Sequence, residues 1–221
     1  MKTSVVKKIL MAFSGFFLMI FLLQHLVINL LSVISPDSFN EVSHFMGTNG
    51  LIQFAMQPVL IVGVVFHLIM GMVLEMQNNK ARNIKYAKNN ANANSTFMSR
   101  NMIITGVMVL LFLAVHFVDF WIPEINTKFI QGNWEGLNNA GEFRYWEELH
   151  HKFQDIARVG IYILAFIFLS LHLMHGFQSA FQSVGFNHSK YTPLLKKLGT
   201  AYAIIIPLGF IFIALFHHLS H

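Results

Sequence analysis

Four histidines stand inside long apolar stretches of the chain: His25 in FLLQHLVIN, His67 in VVFHLIMGM, His116 in LAVHFVDFW and His172 in SLHLMHGFQ. An ionisable side chain in such surroundings is costly to keep there and marks a functional position by default. Imidazole has three uses in this setting: a hydrogen bond across helices, a proton relay, or a nitrogen lone pair offered to a metal. A single histidine fits the first and blandest of these. Four of them, one in each of four successive apolar stretches, fit it poorly.

The elements that must position these residues follow from composition. The 221 residues are 55% hydrophobic and only 11% Asp, Glu, Lys or Arg, against about 25% charged in soluble domains. Mean hydropathy is +0.55, and the chain holds 23 Phe and no Cys. A water-soluble globule, a disordered chain, a disulfide-stapled domain and an iron–sulfur protein are thereby disfavoured. Crossing a hydrocarbon core of roughly 30 Å takes about 20 apolar residues. Five runs qualify, at about 9–33, 51–75, 102–122, 156–181 and 198–219. Ser35-Pro36-Asp37 ends the first, and Pro123 closes the third. The expected fold is all-α, a single membrane domain over 1–221 built as a bundle of five transmembrane helices. The first run follows Lys7 and Lys8, but it is too long for a signal-peptide core and lacks a small-x-small cleavage site, so it reads as a retained helix.

The net charge of +5 raises nucleic acid as a partner, but no basic stripe supports it. The basic residues sort by membrane side instead. Lys2, Lys7, Lys8, Lys80, Arg82, Lys85, Lys88, Arg100, Lys190, Lys196 and Lys197 fall on the side of the N-terminus. Lys128, Arg144, Lys152 and Arg158 fall on the other, together with every acid except Glu75. The positive-inside rule then sets the N-terminus in the cytoplasm and the C-terminus outside. The Asn-, Ala- and Lys-rich stretch 78–99 reads as a solvated cytoplasmic loop. The stretch 123–152, with Trp134, Tyr145 and Trp146, reads as an interfacial cap. Short-period repeats, a P-loop, a GxGxxG fingerprint and a nucleophile motif are all lacking.

Depth divides the four histidines. Helices one and three run outward, two and four inward. At 1.5 Å per residue His25 lies about 24 Å from the inner boundary near Ile9, and His116 about 20 Å from Met102. His67 lies only about 10 Å from Leu74, and His172 about 13 Å from Phe181. The result is two pairs at two levels, His25 with His116 and His67 with His172, each drawn from alternate helices. Two b-type haems stacked across a membrane need this arrangement, each iron taking an imidazole on either face of its macrocycle. The missing C-x-x-C-H excludes covalent attachment. A zinc site wants its ligands at one depth, and proton relays usually include mid-membrane carboxylates, whereas Glu75 and Asp119 lie near helix ends. Gly63 and Gly71 flank His67 at four residues on either side, and Gly176 follows His172 at the same spacing. These glycines suit close approach of a macrocycle or, equally, helix–helix packing. Phe21, Phe112, Phe120 and Phe168, each a turn from a ligand, suit the wall of a porphyrin or an ordinary core or lipid-facing position.

With FLLQHLVIN on helix one, FHLIMG on helix two, VHFVDFW on helix three and LHLMHG on helix four, the chain resembles the five-helix, dihaem cytochrome b subunit of succinate:quinone oxidoreductases, including fumarate reductases that use menaquinol. The likeness covers nearly the whole chain in length, helix count and histidine order. It implies that His67 and His172 bind the haem proximal to the hydrophilic subunits, and His25 and His116 the distal one. His175, one turn beyond His172, is the second choice on helix four. The resemblance also implies partners on the cytoplasmic face of the cell's inner membrane: a flavoprotein that handles succinate or fumarate, and an iron–sulfur subunit. This chain would anchor both, be non-catalytic for succinate and fumarate by itself, and pass electrons to or from a quinone, menaquinone being the implied carrier.

The quinone is expected near the distal haem, where Glu41, His44, Asp119 and Trp121 are the polar candidates. Each also fits a plain solvated loop or helix-end role. Ser170 stands where some family members carry a carboxylate linked to proton transfer, so a compensating proton path in helix four is not expected. Ser14, Gln24, Arg100 and Arg158 are candidate propionate partners. His188, His217, His218 and His221 read as solvated terminal or loop residues. Two rival readings stand beside this one: the cytochrome b subunit of a hydrogenase or formate dehydrogenase, whose histidines usually sit on different helices, and a histidine-containing metal or proton transporter.

Overall fold

The punctuation at Ser35-Pro36 does what its chemistry dictates. In the computed structural model, which describes residues 2–81, 102–138 and 140–220, helix α1 (Lys2–Ile34) stops there. Ser35 takes extended backbone (φ −156°, ψ 114°), its side chain accepts from the Ser38 amide, and Pro36 opens α2 (Pro36–Thr48). A π-helical turn, Ile52–Met56, leads into α3 (Gln57–Ala81). The expected loop 78–99 lies almost wholly outside the described residues, as does Arg100.

Helix α4 (Met102–His116) does not end at Pro123 as expected. It continues through a π-helical turn (Phe117–Trp121), an α turn (Ile122–Ile125) and a second π-helical turn (Asn126–Ile130). Pro123 falls in the first turn after a π-helical stretch, where the i→i−4 ladder is already shifted, so its missing N–H breaks no further bond. An irregular loop follows, held by a single bridge between Leu137 and Phe143. Then come α5 (Tyr145–Gln154), α6 (Ile156–Ser183) and α7 (Thr192–Leu219). Asp155 caps α6 by accepting from the Ala157 amide at 2.9 Å.

Among the described residues five helical stretches are long and apolar enough to cross a membrane: Val5–Ile34, Ile52–Asn78, Met102–Ile130, Ile156–Ser183 and Thr192–Leu219. The first four form a ring. Helix α1 packs on α3 and on α6, α6 packs on α4, and the side between α3 and α4 is thin. Across the two diagonals of the ring, α1 with α4 and α3 with α6, the backbones make at most sparse contact among the described residues. Helix α7 lies outside the ring against α6 and α1, with Ala203, Ile206, Phe210 and Ile213 in the same core as Leu26, Phe166 and Leu169. Gly209 permits that approach, since a Cβ there would stand 2.9 Å from Leu26 Cδ1. Helices α2 and α5 pack together and close the end of the bundle at which α1 finishes, the interfacial cap expected of the region 123–152.

Candidate functional site

The two diagonals of the ring are where the histidines meet. His25 on α1 faces His116 on α4, with ring centroids 5.9 Å apart and planes at 88°. His67 on α3 faces His172 on α6, with centroids 6.4 Å apart and planes at 70°. Each pair therefore joins two helices whose backbones stand apart across the ring. The pairing agrees with the depth arithmetic, because Ser14 of α1 touches His67 and His25 lies 11 residues further along the same helix. That puts the two levels about 16 Å apart.

A flat metal macrocycle provides a direct test of these gaps. Two imidazoles bound on opposite faces of one metal, at about 2 Å per metal–nitrogen bond, have ring centres about 6 Å apart. Both pairs match that spacing. Among the described residues no group of three or more His, Cys, Asp or Glu side chains converges, and the donors at each level are two facing imidazoles.

The surroundings differ between the two levels. Ser14 Oγ lies 2.9 Å from His67 Nδ1, and Thr105 Oγ1 lies 3.3 Å from His172 Nδ1. At the other level Asn29 Nδ2 approaches His25 Nδ1 at 3.4 Å, while His116 Nδ1 is buried without a hydrogen-bond partner. Phe21 stacks on His25 at 5.4 Å, and Phe112 and Phe120 lie 5.6 and 5.3 Å from His116. These three aromatics line the His25–His116 pair.

The three glycines named with the histidines meet side chains of neighbouring helices. A Cβ on Gly63 would stand 2.7 Å from the Phe17 ring, one on Gly71 3.6 Å from Met11 Cε, and one on Gly176 3.7 Å from Met102 Cε. All three receive side chains of adjacent helices, the packing alternative. The glycines next to imidazoles are Gly15, beside His67 Cε1, and Gly106, beside His172 Cε1. Ser14 is occupied with His67, Arg158 faces Asp119 at 3.5 Å, and Gln24 is exposed.

The four polar residues named for the quinone do not form one hydrogen-bonded cluster. Glu41 is exposed, His44 stacks on Phe143 at 4.5 Å, and Trp121 lies 5.6 Å from Phe117. Asp119 is 3% exposed. Tyr162 Oη donates to its Oδ2 at 2.9 Å, and Lys152 and Arg158 approach its Oδ1 at 3.7 and 3.5 Å. The Tyr162 ring in turn lies 6.4 Å from His116. Asp119 also lines a cleft of about 430 Å³ with Pro123, Glu147, Glu148, His151 and Lys152. Through Tyr162, Asp119 links His116 to the capped end.

One histidine expected in solvent is buried. His217 has 0% exposure, because α5 folds over the end of α7. Its Nε2 lies 2.9 Å from Ser32 Oγ and its Nδ1 3.4 Å from His150 Nδ1. Trp146 stacks on His150 at 4.8 Å and donates its indole N–H to the Ser32 carbonyl at 2.8 Å. His218 lies 3.0 Å from the Phe153 carbonyl, His188 is exposed as expected, and His221 lies outside the described residues.

The cap is clamped by charge. Lys128, 1% exposed, donates to the Gly47 carbonyl and pairs with Glu124 at 2.5 Å. Arg144 pairs with Glu124 and, at 2.6 Å, with Glu148. Burial alone would lower Arg144, but the hydrogen bonds and charges of Glu148 and Glu124 hold it above its ordinary value. Burial, helped by the Glu124 charge, pushes the neighbouring Tyr145 up to about 12.

Thr105, Gly15 and Gly106 are functional candidates that spacing from the histidines does not single out. A signal for them exists in the correspondence between α1 and α4 described below. Comparison with protein-family models, curated proteins and solved structures finds no match to this chain.

Proposed function

We propose that this chain is the membrane-anchoring cytochrome b subunit of a succinate:quinone oxidoreductase, holding one b haem between His67 and His172 and another between His25 and His116. The observation that carries the reading is the pair of imidazole couples, each joining two helices whose backbones stand apart across the ring, at a metal-compatible spacing. When bound, the haems supply one-electron transfer across the membrane, since bis-imidazole ligation leaves no open iron position.

The chain's own residues do the rest. Four helices hold the imidazoles at fixed depth, and Phe21, Phe112 and Phe120 keep water from the His25–His116 level. The charge asymmetry supports an N-terminus in the cytoplasm and residence in the cytoplasmic membrane. The iron–sulfur and flavoprotein partners then dock at the basic end, nearest His67 and His172. Quinone meets the capped end. There Asp119, three residues beyond His116 and bonded to Tyr162, is placed to hold the protons that quinone chemistry takes up or releases.

Affinity purification of the tagged chain from its own membranes in mild detergent tests the assignment. Flavin, non-haem iron and acid-labile sulfide are expected to co-purify with it, and a menaquinol analogue is expected to reduce its haem. A haem-bearing chain that purifies without flavin and ignores quinol belongs to a different oxidoreductase.

A further inference from the structure

Two stretches 91 positions apart carry matching residues at the same spacing, four identical and one conserving only its hydroxyl: Met11, Ser14, Gly15, Phe21 and His25 on α1, and Met102, Thr105, Gly106, Phe112 and His116 on α4. Their partner helices match as well, with His67-Leu68-x-x-Gly71 on α3 and His172-Leu173-x-x-Gly176 on α6. The contacts repeat along with the residues. Ser14 Oγ donates to the Met11 carbonyl at 2.8 Å and lies 2.9 Å from His67 Nδ1. Thr105 Oγ1 donates to the Met102 carbonyl at 2.9 Å and lies 3.3 Å from His172 Nδ1. A Cβ at Gly15 would stand 3.8 Å from His67 Cε1, and one at Gly106 3.5 Å from His172 Cε1. Ser14 and Thr105 are 8% and 6% exposed, which leaves little access for competing water.

From this repeated geometry we infer that Ser14 and Thr105 are positioning residues that fix the tautomer of His67 and His172, a role that rests on the haem reading above. A hydroxyl has one proton. In both residues that proton is committed to the carbonyl three positions back, so the oxygen can only accept from the imidazole. Nδ1 must therefore carry its hydrogen, and the lone pair left for a metal is on Nε2. An Nδ1–H held by an oxygen also raises the basicity of the ligating nitrogen and orients the ring. The other pair has no hydroxyl acceptor: the Asn29 amide nitrogen, a donor, bonds the His25 carbonyl at 2.8 Å and lies 3.4 Å from Nδ1, and among the described residues His116 Nδ1 has no hydrogen-bond partner. The His67–His172 site is thus set before its metal arrives, and the His25–His116 site is set mainly by packing.

The test is a potentiometric titration of the α band in the complex as purified from membranes. It compares wild type with Ser14→Ala, Thr105→Val and the hydroxyl-preserving swaps Ser14→Thr and Thr105→Ser. His67→Ala identifies which spectral component belongs to this pair. Losing the acceptor makes imidazole a poorer donor to ferric iron, so that component's midpoint is expected to rise in Ser14→Ala and in Thr105→Val. A tenfold change in the ferric-to-ferrous binding ratio corresponds to about 59 mV for one electron. The swaps are expected to stay at the wild-type value, and the other component is expected not to move. Selective loss of this haem in the Ala and Val variants, with retention in the swaps, supports the same role. Unchanged midpoints with full haem content would overturn it, as would equal shifts in the swaps. A wild-type chain with no haem would remove the proposed function and this role together, whereas indifferent variants of a two-haem wild type remove only this role.

Discussion

Replacing His67 or His172 with alanine is expected to lower the haem content from two per chain to one, with the same spectral component lost in both variants. The reason is geometric. Each macrocycle needs an imidazole on both faces, and the two rings of this pair reach across a gap that no backbone packing closes. One remaining imidazole cannot hold a low-spin bis-ligated iron, and an adjacent helix cannot move in to replace the other. His25→Ala and His116→Ala are expected to remove the other component, again identically to each other. His175→Ala is the control. It lies one turn along α6 from His172 and belongs to neither ring pair, so both haems should remain. Haem-to-protein ratio and the amplitude of the reduced-minus-oxidised α band measure all five variants. Two variants of one pair losing different components would contradict the pairing, as would retention of both haems in all four.

Glu124→Ala is expected to loosen the capped end by about 3–5 kcal/mol, the cost of leaving a buried charge uncompensated. Glu124 is the carboxylate shared by Lys128 and Arg144. Lys128 is 1% exposed and also reaches the Gly47 carbonyl, so one acid ties the end of the third span to α2 and to the start of α5. Glu148 offers the contrast. Its side chain is 48% exposed, and its ion pair with Arg144 is of the solvated kind worth about 1 kcal/mol or less. Thermal melts in detergent should therefore separate the variants clearly, with Glu124→Ala falling well below Glu148→Ala. Limited proteolysis in the loop 131–144 should rise in Glu124→Ala alone. Equal melting of the two would contradict the clamp. Because α5 covers both Asp119 and His217, loss of the clamp should also expose the cleft that Asp119 lines.

The parts of this architecture that could be read in the sequence are those set by position along a single helix. Apolar run length locates the spans, and 1.5 Å per residue puts His25 level with His116 and His67 level with His172. What depth cannot supply is angle around the helix axis. Gly63, Gly71 and Gly176 share a spacing with the histidines, yet they face Phe17, Met11 and Met102 on neighbouring helices. Ser14 reads as a propionate candidate from its hydrogen-bonding hydroxyl, and only its rotation about α1 shows that it meets His67. The 91-residue correspondence between α1 and α4 holds that angular information, since matching residues at identical spacing take the same angles around their helices. His217 was beyond reach for a different reason. Two histidines at a helix end look solvated until a short amphipathic helix from a distant loop folds over them. Pro123 misleads in the same local way, because the π-helical turn before it absorbs the break.

The most direct test of the central claim is the haem stoichiometry of the purified wild-type chain, read together with its reduced-minus-oxidised and low-temperature magnetic spectra. Two non-covalent b haems per chain, both low-spin with bis-imidazole ligation, are the predicted result. Haem content near zero, or a single haem that survives loss of any one of the four histidines, would contradict it.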